Sequence, residues 1–85
     1  MTNNNTSYLV VRVRGISLEE LMNDIEKEDN VVGIQERGDK LIVHIEYEDL
    51  EEVATLASNI TYAALFLNVN TIQITHCSRG TSYDN

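Results

Sequence analysis

Proline is absent from these 85 residues, and there is a single cysteine, Cys77. Without proline, no helix or strand is forced to break in its interior. With one cysteine, no internal disulfide can form, which fits a reducing compartment or a fold that needs no staple. Bases are scarce: six Lys and Arg stand against fourteen Asp and Glu, for a net charge of −8. Direct binding to nucleic acid is therefore disfavoured, because phosphate contacts need a basic surface. Anionic membranes repel such a chain, and basic proteins attract it. No apolar stretch approaches the roughly 20 residues needed to cross a bilayer. Met1 to Thr6 has neither the basic region nor the apolar run of a secretory signal, so a cytoplasmic protein is expected.

What remains is enough for one small domain. Core-building residues are plentiful at 42% hydrophobic, although a chain this short buries a modest share of its surface, and a second copy is a natural way to bury more. Residues 1–7 are polar and Asn-rich and read as a disordered arm; residues 78–85 read as a disordered tail. Residues 8–77 form the folded part.

Tyr8 to Arg14 alternates, with Leu9, Val11 and Val13 on one side and Tyr8, Val10, Arg12 and Arg14 on the other, the period of a strand. Ser17 and Glu20 then make an S-x-x-E capping box, and Leu18, Leu21, Met22 and Ile25 form one helical stripe. Val31 to Arg37 and Lys40 to Tyr47 are two strands joined by Gly38-Asp39, which suits a two-residue type II′ hairpin turn. That turn sets a register in which Ile34 opposes Val43, Val32 opposes Ile45, Gln35 opposes Ile42 and Gly33 opposes His44. Asp49 caps a second helix with Glu52 at its third position. Leu50, Val53, Ala54, Ala57, Ile60, Thr61 and Ala64 form its expected buried stripe, and its second half is apolar almost all round. Thr71 to Cys77 is the last strand, with Ile72 and Ile74 inward.

The order β-α-β-β-α-β predicts an α+β domain of ferredoxin-like type: a four-stranded antiparallel sheet in order 4-1-3-2 with two helices on one face. The other face is expected to be open and to carry Tyr8, Val10, Arg12, Arg14, Gln35, Ile42, His44, Glu46, Gln73 and Thr75. This arrangement hosts many unrelated functions.

Parts for catalysis are missing. His76 and Cys77 are neighbours on one strand and point to opposite faces, so they cannot pair as base and nucleophile. Two histidines and one cysteine lack metal-site spacing, and there is no phosphate-cradling glycine loop. Neither an enzyme nor a metal or other cofactor is expected. RNA-recognition domains share the topology but need aromatics on the central strands, where this chain has Val10, Arg12, Ile42, His44 and Glu46.

The acids are distributed unevenly. Glu19, Glu20, Asp24, Glu26, Glu28 and Asp29 fall in residues 17–30 against one base, Lys27; Glu46, Glu48, Asp49, Glu51 and Glu52 fall in residues 46–52 with none. These eleven of the fourteen acids belong to the first helix and the start of the second, while Arg12, Arg14, Arg37 and Lys40 lie on or beside the open sheet. Acids at helix starts also favour the macrodipole, and a solvated face is the simpler account of any one of them. As a set they offer carboxylates about 5–6 Å apart along a helix, coarser than the one charge per roughly 1.7 Å of DNA but the same sign.

In size, charge, dispersed helical carboxylates, lone cysteine and Asn-rich start, the chain resembles the small acidic DNA-mimic proteins made by bacteriophages. The resemblance implies a homodimer whose acidic faces occupy the DNA-binding groove of a basic host protein, such as an HU-like nucleoid protein, with the eleven acids as the contact set. Two surfaces are candidates for the dimer contact: the open sheet (Tyr8, Val10, Ile42) or the second half of helix two (Tyr62, Phe66, Leu67). The alternative is a small-ligand-binding regulatory domain of ACT type, which Val13-Arg14-Gly15-Ile16-Ser17 resembles at the strand-to-helix loop, although the proline common beside that glycine is absent.

Overall fold

The computed structural model describes residues 5–14, 18–69 and 71–77. The elements run β1 (Asn5–Arg14), α1 (Leu18–Ile25), β2 (Val31–Arg37), β3 (Lys40–Tyr47), α2 (Leu50–Phe66) and β4 (Thr71–Cys77). The chain is an α+β domain: the four strands form one antiparallel sheet in the order β2-β3-β1-β4, and the two helices pack together over it. Gly15, Ile16 and Ser17, which carry the ACT-type resemblance and the capping box expected for α1, lie outside the described residues, as do residues 1–4 of the arm and the whole of the tail.

Alternation along the central strands sorts the side chains into two sets. Leu9, Val11 and Val13 of β1 join Leu41, Val43 and Ile45 of β3, Leu21 and Ile25 of α1, and Val53, Leu56, Ile60 and Ala64 of α2 in one buried cluster. Ile72 and Ile74 pack against it half-buried, as their inward placement predicts. This cluster carries the fold, since each fully buried aliphatic side chain contributes roughly 1.5–3 kcal/mol relative to exposure.

The second sheet face differs from expectation. Tyr8, Val10 and Ile42 form their own buried cluster, with Cys77 packed against it and Ile42 at 0% exposure. Val10 lies directly opposite Ile42, and Tyr8 is paired with His44 on β3 and with Cys77 on β4. The three apolar residues are thus core, not an exposed surface left for a second copy. Arg12, Arg14, Gln35, Glu46, Gln73 and Thr75 on the same face are exposed, and His44 is half-buried.

Other boundaries move for identifiable reasons. β1 takes in Asn5, Thr6 and Ser7, whose polar character suggested the arm; they pair with Tyr47, Glu46 and Ile45, and Ser7 is buried. In the hairpin, Gly38 adopts φ +63° and Asp39 does not follow it into positive φ, as a type II′ turn requires. The expected pairs hold from the turn up to Gly33 and His44, and then a bulge intervenes, so Val31 rather than Val32 meets Ile45. Val32 is expelled to 60% exposure.

The inner stripe of α2 is Val53, Leu56, Ile60 and Ala64. Leu50 and Ala54, expected to be buried, are exposed, and Ala57 and Thr61 are half-buried. Two apolar stripes run side by side along this helix, and the sheet covers only one of them. A Schellman motif ends it: Val69 N–H donates to Ala64 O at 3.1 Å, Asn68 N–H to Leu65 O at 3.2 Å, and Asn68 sits at φ +62°.

Candidate acidic docking surface

The acids are positioned by where the helices begin and end. α1 leaves the β1 end at Leu18 and finishes at Ile25, and the turn through residues 26–30 delivers the chain to β2, whose first residue pairs with Ile45. α2 starts just past Tyr47. The end of α1 and the start of α2 therefore meet at one end of the sheet, beside the C-terminal end of β3.

There the two acidic windows touch. Glu28 from the first and Asp49, Glu51 and Glu52 from the second line one shallow depression of about 210 Å³, together with Asn30, Thr55 and Asn59. Asparagines hold the rim. Asn30 Nδ2 donates to Glu52 Oε1 and to Glu46 O, both at 2.9 Å, and Asn59 Nδ2 donates to Glu28 Oε1 at 3.0 Å. Asp49 is the helix cap, its Oδ1 accepting from Glu52 N–H at 3.1 Å. Glu52 reaches back one residue further than in a standard capping box and accepts from Glu48 N–H at 3.1 Å. Asp49 and Glu52 thus do structural work, whereas Glu26, Asp29, Glu46, Glu48 and Glu51 are exposed.

Not every predicted acid belongs to this group. Glu46 follows Ile45 on β3, so its side chain lies on the sheet face away from the helices, at the edge of the patch; strand alternation overrides its closeness in sequence to Glu48. Glu19 and Glu20 stand in the first turn of α1, at its far end from Glu28, and are exposed there. Asp24 lies 3.6 Å from Lys27 Nζ, a surface pair of the kind that contributes little.

Charge is consequently segregated end to end, more than helix layer against sheet. Arg12 and Lys40 are directly opposed in the β1–β3 ladder, with Arg37 opposite Lys40 and Arg14 two residues on. This end lies about 20 Å along the strands from Glu46. Its four bases are matched by Glu19, Glu20, Glu36 and Asp39. At the other end stand Glu26, Glu28, Asp29, Glu46, Glu48, Asp49, Glu51 and Glu52. Since Asp24 offsets Lys27, and Arg79 offsets Asp84 in the sequence, these eight carboxylates account for the whole net charge of −8.

Compared with protein-family models, curated proteins and solved structures, the chain matches none.

Two features escaped the sequence pattern. The first is a hydroxyl–imidazole contact: Ser7 Oγ and His76 Nε2 are hydrogen-bonded at 2.8 Å, with the His76 ring edge-on to Tyr47. It joins residues 69 apart and needed the β1–β4 register to be found. Ser7 is buried, and neither it nor His76 lines the depression described above or the groove described next. The second feature was in plain view: residues 53–77 contain no charged side chain. They build most of α2 and all of β4, and between these lies a groove of about 550 Å³ lined by Ala57, Ser58, Thr61, Tyr62, Leu65, Ile72 and Ile74. Of the helix-two residues expected at a dimer contact, Tyr62 and Phe66 are exposed, at 64% and 87%. Leu67 instead packs half-buried against the core, because the Schellman turn folds it inward.

Among the described residues no three His, Cys, Asp or Glu side chains gather as a metal site, and no helix is long and apolar enough to cross a membrane.

Proposed function

We propose that this chain is a non-enzymatic docking protein whose acidic end binds a basic, DNA-binding protein of the host cytoplasm and occludes its DNA-binding surface. The observation that carries the reading is the concentration of the entire net charge in eight carboxylates at one end of the sheet, around a depression rimmed by Glu28, Asp49, Glu51 and Glu52. Scattered acids would serve solubility equally well; a cluster of eight acids with one base, Lys27, among them incurs self-repulsion and makes a local field that a basic groove relieves. An HU-like nucleoid protein is the kind of partner this chemistry suits, in the manner of phage DNA mimics. The element order and the sheet order β2-β3-β1-β4 support reading the fold as ferredoxin-like, a scaffold that leaves both helix ends available.

The test is competition. With a purified HU-like protein bound to labelled duplex DNA, addition of this chain should release the DNA, with an affinity that falls steeply as salt rises. A variant carrying Glu28→Lys, Glu48→Lys and Glu51→Lys spares the cap at Asp49 and should bind on the order of 100-fold more weakly. Reversals at the balanced end, Glu36→Lys and Asp39→Lys, should change binding by less than about threefold. Equal losses from both variants, or binding indifferent to salt, would sink the reading.

A further inference from the structure

The two edges of the sheet are built differently. β2 carries devices that discourage pairing with another chain: a bulge at Val32 and the charged side chains Glu36 and Arg37. β4, the other edge, has none of them. Its seven residues, Thr71 to Cys77, pair with β1 in unbroken register, and the strand contains no charge and no proline. Among the described residues nothing pairs with its outer side. Above it runs the second apolar stripe of α2, with Leu50 and Leu65 exposed and Ala57 and Thr61 half-buried, and Tyr62 next to it. Four of the five large apolar side chains that stand exposed, Leu50, Tyr62, Leu65 and Phe66, belong to this one helix.

We propose that the outer edge of β4, with the uncovered stripe of α2 above it, is the face on which a second copy of this chain docks. The two β4 strands pair antiparallel and join two four-stranded sheets into one of eight strands. The occupant follows from charge. A chain of net charge −8 repels its own copy wherever carboxylates face each other, and the stretch 53–77 is the long segment that two copies can share with no like charges in contact. An antiparallel edge pair is also self-complementary under a two-fold axis, which is the commonest symmetry of homo-oligomers. Across that axis Tyr62 and Leu65 of each copy can close the groove lined by Ile72 and Ile74. Tyr62 and Leu65, 64% and 60% exposed, supply apolar area toward the ~800 Å² per partner that a standard interface buries, and the strand edge adds to it. Because the axis stands perpendicular to the joint sheet, both helical layers stay on one side and the two acidic ends fall at its opposite extremes.

The mass of the full chain tests this without reference to any basic partner, so its failure and that of the acidic-end reading are separable. In reducing buffer, which removes any disulfide through Cys77, sedimentation equilibrium at about 50 µM chain should give about 19 kDa, twice the 9.6 kDa of one chain. Leu65→Glu and Tyr62→Glu, at positions open to solvent in one copy, should each weaken association on the order of 100-fold while leaving the circular dichroism unchanged. Val32→Glu, equally exposed on the opposite edge, should leave it intact. Hydrogen exchange should show residues 71–77 more protected at high than at low concentration. A monomeric wild type, a Leu65→Glu protein that still pairs, or concentration-dependent protection in β2 in place of β4 would each overturn the proposal.

Discussion

Residues 18–52 and residues 53–77 contribute to one hydrophobic core, yet they meet water in opposite ways. The first stretch supplies α1, the β2–β3 hairpin and the acid-ringed start of α2, and most of its exposed positions carry charge. The second supplies the rest of α2 and β4 with no charge at all, leaving Tyr62, Leu65 and Phe66 in the open. Solubility alone would spread charge over both. The contrast teaches that one small sheet-and-helix layer can anchor an acidic face and an uncharged face in the same core.

The strongest way to break this contrast is to ask whether the two stretches are one cooperative unit. Ile60 is fully buried in the cluster that also contains Leu21 and Ile25 of α1 and Val43 of β3. Ile60→Ala should lower the unfolding free energy by about 2–5 kcal/mol. Urea denaturation followed by circular dichroism and by tyrosine fluorescence should still show one coincident transition. Separate transitions for the two probes would mean that the halves are separate units and that their difference is no more than adjacency.

The border between the stretches can be sharpened at Asp49. Asp49→Ala removes the oxygen that receives Glu52 N–H and should cost about 1 kcal/mol, in a range of about 0.5–2. Asp49→Asn keeps an acceptor and should recover most of that loss while still removing a negative charge. If the Asn variant regains stability but weakens binding to a basic partner, cap and charge are separable roles of one carboxylate. At the other end of α2, Asn68 closes the Schellman motif at positive φ. Asn68→Ala should cost on the order of 1 kcal/mol, and Asn68→Gly should equal or exceed the wild type in thermal unfolding.

Much of this was legible in the chain. Period-two patterns at Tyr8 to Arg14 and Lys40 to Tyr47 marked the central strands, Gly38-Asp39 gave the turn, and Asp49 marked the start of α2, because each is a local rule with a local cause. Misreadings arose where a residue had two acceptable positions and tertiary packing chose. In α2, Leu50, Ala54, Ala57 and Thr61 form as good a stripe as Val53, Leu56, Ile60 and Ala64; only the placement of the sheet decides which is covered. Tyr8, Val10 and Ile42 alternate correctly onto the second face, but nothing local says that this face is buried at their positions. For the acidic set the sequence supplied the members and missed the grouping. Whether Glu28 sits with Glu51 depends on which way α1 runs across the sheet. The charge-free stretch needed no structure to be noticed, but its importance appeared only when β4 proved to be an edge.

The least intuitive feature of the protected edge is the bulge beside Val32. The hairpin turn alone would place Val32 opposite Ile45 and bury it; the bulge gives that place to Val31, which packs half-buried against the core. Val31→Ala should therefore cost about 1–2 kcal/mol, near 0.8 kcal/mol for each buried methylene-sized group removed. Val32→Thr, which puts a hydroxyl on the same branched frame, should change stability by less than about 0.5 kcal/mol, since the side chain already stands in water. The reverse ranking in urea denaturation would mean that the strand keeps the register its turn dictates. β2 would then be as regular an edge as β4, and either side of the sheet could receive a second copy.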